Sequence, residues 1–120
     1  MAIPDKLEAF IASSFTSVWA LELLLLLKSE GRPVPTEELV TLMRASPSVV
    51  ENALESLIAA GLAGTEGECA TYMPVGPDVA SLVEETEESY RLRPDRVRRL
   101  IVASPNKGLT AFSDAFRLKD

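Results

Sequence analysis

The unbroken run Leu23 to Leu27 constrains this chain more than any other stretch. With Val18, Trp19 and Leu21 ahead of it, it makes a helix that is apolar nearly all round, and such a helix belongs at the centre of a core. It is too short for a membrane span, because Glu22 and Lys28 bound the run far short of the roughly 20 apolar residues that crossing requires. Ser17 carries a hydroxyl suited to capping the start of this helix, and Gly31 suits its end. At 120 residues the chain has the length of one domain with one core.

Other elements follow from local signals. Asp5 and Glu8 read as a capping box opening a short helix to about Ala12. Thr36, followed by Glu37 and Glu38, reads as the cap of a helix over about 37 to 44, after a polar turn Arg32-Pro33-Val34-Pro35. Ser46-Pro47 opens the next helix, with proline at the first position, where its missing N–H has no partner anyway. Within that helix Val50, Ala53, Leu54, Leu57 and Ile58 form the inward stripe, while Ser48, Glu51, Asn52 and Glu55 take the other side. Gly61 stops it. Residues 62–65 and 70–73 then flank Glu66-Gly67-Glu68-Cys69 as a short hairpin. A longer helix carries Val79, Leu82, Val83 and Thr86 inward and Glu84, Glu85, Glu87 and Glu88 outward. Pro94 opens a last helix, and a loop at 104–108 precedes Leu109, Phe112 and Phe116, spaced to give a tail one apolar edge for docking.

This order of three helices, a hairpin and a further helix resembles the winged helix-turn-helix domain of bacterial transcription regulators, including the MarR and Rrf2 groups. The likeness covers about residues 17 to 90. Its most specific stretch is Val50-x3-Leu54-x2-Leu57-x3-Gly61-Leu62, continuing through Gly67 to Tyr72-Met73, which looks like a recognition helix running into a wing. The expected fold is therefore mainly α with a small β-hairpin wing and extra N- and C-terminal helices. Residues 1–90 would form the winged-helix domain with its N-terminal helix. Residues 91–120 would form a C-terminal helix and an amphipathic tail packed on it. An unrelated helical bundle with a hairpin is the alternative.

The resemblance implies that the exposed side of the helix after Ser46 enters the major groove and that the wing touches phosphate. The DNA-facing residues would then be Arg44, Ser46, Ser48, Val49, Asn52 and Ser56, with Glu66, Gly67 and Glu68 at the wing tip. A helix cap and a solvated face explain the same serines and asparagine. Charge argues against DNA: Arg44 is the only basic residue from Thr36 to Gly76, against six glutamates, and the whole chain carries a net charge of −6. Positive charge gathers instead at Arg91, Arg93, Arg96, Arg98 and Arg99. That cluster either binds phosphate or an acidic partner, or pairs with nearby glutamates.

Catalysis finds no footing. Histidine is absent, and the single cysteine, Cys69, cannot build a thiolate metal site or an intrachain disulfide. Gly61, Gly64 and Gly67 lack the following helix that a phosphate cradle needs. No cofactor or metal is expected, nor a membrane role. No basic region precedes an apolar one near Met1, so no secretory signal is expected, and a cytoplasmic setting suits the lone cysteine. Two functions remain: a transcriptional regulator binding DNA as a dimer, or a winged-helix module that docks another protein and does not bind DNA.

Overall fold

The structure, a computed structural model, describes residues 3–103. The chain forms α1 (Asp5–Ser14), α2 (Val18–Glu30), β1 (Val34–Pro35), α3 (Thr36–Met43), α4 (Pro47–Ala59), β2 (Ala63–Glu66), β3 (Cys69–Tyr72), α5 (Pro77–Leu92) and α6 (Pro94–Val102). It is a mainly helical fold with one small antiparallel sheet.

Helix α2 is the central element. Ala20, Leu21, Leu23, Leu24 and Leu27 are all fully buried, and they meet α4, β3 and α6. The Ser17 hydroxyl caps this helix by accepting from the Ala20 N–H at 3.1 Å, and Gly31 closes it in a left-handed conformation, donating to the Leu27 carbonyl. Helix α1 precedes it at a bend of 100°. The corner is held by Phe15, fully buried and packed edge-to-face on Phe10 with ring centroids 6.1 Å apart. Among the described residues no single helix is long and apolar enough to cross a membrane.

Two expected caps are corrected. Helix α1 starts after Pro4 with no side-chain cap and runs to Ser14 rather than Ala12. Asp5 and Glu8 lie inside its first turn, where the helix dipole favours them without a capping bond. Thr36 is likewise the first residue of α3, not its cap. Its hydroxyl and its N–H both donate to the Glu68 carbonyl, at 3.2 and 3.4 Å, tying α3 to the hairpin turn.

Helix α4 packs across α2 through Val50, Ala53, Leu54 and Leu57. Ile58, expected on this stripe, is 41% exposed. At 100° per residue it falls on the stripe's edge, one step past Leu57. The end of α4 is a double turn in which Leu62 N–H donates to Leu57 O and Gly61 N–H to Ile58 O. Gly61 sits at φ +77°, and a Cβ there would meet Val75 Cγ1 at 2.7 Å.

The chain turns directly from Gly61 into the hairpin. Strands β2 and β3 pair antiparallel from Ala63 opposite Tyr72 to Glu66 opposite Cys69, leaving a two-residue loop in which Gly67 takes φ +61°. The sheet has a third strand that no local signal announced. Residues Val34 and Pro35, read as a polar turn, pair with Ala70 and Cys69, giving the order β1-β3-β2. Val34 is fully buried, so the segment is held by its side chain as much as by its backbone.

Helices α5 and α6 cover the side of α2 next to α1. Val83, Val97 and Ile101 belong to the same core cluster as the buried residues of α2 and α4, and Thr86 is fully buried. The apolar face of α5 is thus absorbed within one chain by α1 and α6. Thr86 satisfies its buried hydroxyl on the Leu82 carbonyl at 2.7 Å. Lys28 reaches from α2 to Glu87 at 2.9 Å, a bond that raises the ammonium's pKa above its usual value against the opposing effect of burial.

Candidate functional site

The residues singled out for contact with DNA or a partner fall into two groups. Arg44, Ser46, Ser48, Val49 and Asn52 line the turn between α3 and α4 and the first turns of α4. Ser46 is fully committed as a cap: its hydroxyl accepts from the Val49 N–H at 3.3 Å and lies 3.2 Å from the Ser48 hydroxyl. Arg44, Ser48 and Asn52 are exposed, and Val49 is half-buried. The same face of α4 presents Glu51 and Glu55, and the hairpin turn presents Glu66 and Glu68, all exposed.

Arg44 also does something the sequence did not announce. It ends α3 at φ 54°, the only non-glycine residue with positive φ among those described. Its N–H donates to Thr41 O, and the next N–H, of Ala45, to Val40 O. A left-handed L-residue costs roughly 1–2 kcal/mol. Arg44→Gly is therefore expected to raise stability by about 1 kcal/mol, read as a higher denaturant midpoint with an unchanged slope.

Three of the five late arginines are engaged in ion pairs. Arg91 pairs with Glu88 at 2.5 Å, Arg98 with Asp95 at 3.2 Å, and Arg96 with Glu8 at 2.6 Å, joining α6 to α1. Arg93 and Arg99 make no ion pair with another described residue. The Arg91 contact lowers the Glu88 carboxyl's pKa and raises that of the guanidinium, although both groups are exposed. Leu109, Phe112 and Phe116 lie outside the described residues.

Arg98 stands apart, because it helps line a groove that sequence reasoning missed. The groove encloses about 550 Å3 between Val18, Trp19, Glu22 and Leu26 of α2, Leu42 and Met43 of α3, Tyr90 of α5 and Arg98 of α6. Trp19, expected at the centre of the core, is instead 44% exposed on its wall. The reason is helical phase: the exposed Trp19 and Glu22 and the half-buried Leu26 fall three and four residues apart, off the fully buried face of α2. Along the rim, the Tyr90 hydroxyl donates to Glu22, and the Arg98 guanidinium lies 5.4 Å from the centre of the Tyr90 ring. Burial first, and the Glu22 carboxylate second, push the Tyr90 phenol's pKa up.

Trp19 also walls a second, smaller depression with Thr16, Ser17, Val49, Asn52 and Ala53. The indole therefore joins the groove to the exposed start of α4. Comparison with family models, with curated proteins and with solved structures finds no match to this chain. Among the described residues, no group of three or more His, Cys, Asp or Glu side chains is arranged to hold a metal ion. Cys69, half-buried, lies in β3 opposite Glu66 and Pro35.

Proposed function

We propose that this chain is a winged-helix module of a transcriptional regulator, working in the cytoplasm as a homodimer and meeting DNA through the start of α4 and the β2–β3 turn. One observation carries the reading. Helix α4 packs across α2, ends at Gly61, and passes directly into an antiparallel hairpin that β1 and Thr36 anchor from the other side. The winged-helix resemblance implies that order. In this reading Ser48, Val49 and Asn52 approach base edges and Arg44 meets phosphate, while Ser46 holds the helix start in place. No catalytic step and no cofactor is part of it.

A second use of the same module is favoured by charge. The exposed side of α4 and the hairpin turn carry Glu51, Glu55, Glu66 and Glu68, and Arg44 is the single basic residue in the sequence from Thr36 to Gly76. An acidic surface of this kind suits a protein partner with basic side chains and repels phosphate.

A titration separates the two. Labelled genomic DNA fragments at about 50 mM salt are mixed with the chain and followed by fluorescence anisotropy. DNA recognition predicts binding with a shallow salt slope of about one or two released counterions per module, weakened by Asn52→Ala and by Arg44→Ala. Flat curves up to about 100 μM protein, where even nonspecific DNA binders associate, would exclude DNA and leave the docking role.

A further inference from the structure

The groove beside Trp19 has an apolar floor and a rim bearing both signs of charge. Leu26, Leu42, Met43 and the indole form the floor and walls, with Leu42 48% exposed, and Glu22 and Arg98 stand at the rim. Its volume of about 550 Å3 lies within the range that takes up a cluster of large side chains or a drug-sized group. Of the exposed apolar side chains, Trp19 and Leu42 meet in this one concavity.

We infer that the groove is occupied by the C-terminal segment of the same chain, with Leu109, Phe112 and Phe116 seated against Trp19, Leu26, Leu42 and Met43. Three observations meet here. The first is reach. Arg98 is part of the groove wall, and Ala103 lies only about 7.5 Å further along the helix axis. Residues 104–108 can then span up to about 17 Å, enough to bring Leu109 back over the groove. The second is pattern, since Leu109, Phe112 and Phe116 are spaced three and four apart, the repeat by which a helix lays one apolar edge into a groove.

The third is charge. Residues 104–120 hold Lys107, Arg117 and Lys119 against Asp114 and Asp120, so this segment is net positive, while the rest of the chain carries the whole acidic excess. Arg117 and Lys119 follow directly on Phe116 and offer a cation to Glu22 at the rim. Closure within one chain needs no second molecule, because a short linker supplies an effective concentration of about millimolar. The inference concerns the groove alone and stands apart from what α4 contacts.

Trp19 is the chain's single tryptophan, so its fluorescence reports on the groove without a label. The full-length chain is compared with a full-length Leu109→Ser, Phe112→Ser, Phe116→Ser variant, with far-UV circular dichroism confirming that both are folded. Docking predicts that the variant's emission moves to longer wavelength and that acrylamide quenching of Trp19 rises by about twofold, as the indole loses its apolar cover. Adding a synthetic peptide of residues 104–120 to the variant should restore protection at or below about millimolar concentration, since a tethered segment that fills the groove must bind more tightly than its effective concentration. Equal quenching in the two proteins would overturn the inference. So would protection in the unaltered chain that fades on dilution from about 100 to about 1 μM, since that dependence identifies a second copy's segment as the occupant.

Discussion

Leu57→Ala is expected to destabilise the fold by about 2–5 kcal/mol, a large share of the roughly 5–15 kcal/mol that holds a domain of this kind together. Leu57 is fully buried where α4 crosses α2, and the flanking Val50, Ala53 and Leu54 are held on rigid helix backbone, so the vacated space cannot easily collapse. Urea unfolding should show the midpoint falling sharply with the slope unchanged. Ile58→Ala, one residue on, removes a side chain of similar size that is already 41% exposed, and should cost less than about 1 kcal/mol. Equal losses at the two positions would mean that α4 is rotated relative to α2 from the orientation described.

Gly61→Val is expected to cost about 2–3 kcal/mol, arising from backbone strain and not from lost packing. The residue sits at φ +77°, where a β-branched side chain is rarely found, and its new Cβ would meet Val75 Cγ1 at 2.7 Å. Val75 is 74% exposed and can turn aside, so most of the cost lies in the dihedral itself. Gly61→Asn, whose side chain tolerates the left-handed region better, should lose about half as much, both losses being read from the midpoint of urea unfolding. Because Leu62 N–H donates to Leu57 O through this turn and Val75 N–H donates to Gly61 O, disruption here should loosen the hairpin together with the end of α4.

The parts of this fold that could be read from sequence are those set by chemistry within a few residues. Ser17 and Ser46 cap helices because a hydroxyl lies three residues before a free N–H. Gly31 and Gly61 end helices because the chain must turn left-handed there. The parts that escaped depend on partners far away along the chain. Strand β1 is two residues long and exists only because residues 69 and 70 arrive beside it. Thr36 looked like a cap, and its hydroxyl instead found a carbonyl 32 residues away. Trp19 looked like core because it is large and apolar, but its phase on α2 places it outside the buried stripe. The groove it lines draws on four helices, and no spacing in the sequence joins residue 19 to residues 42, 90 and 98. The candidate contact residues of α4 were legible as positions, whereas the indole beside Asn52 was not.

The placement of β1 settles how another molecule can approach the sheet. With β3 in the middle, both of its ladders are occupied, and the outer border on one side is a two-residue strand that is half proline, with a further proline just before it. Such a border offers an incoming strand almost no donors to pair with. The opposite border, Ala63–Glu66, is only four residues long and ends in an exposed carboxylate. Growth of the sheet from molecule to molecule is thus discouraged at both margins.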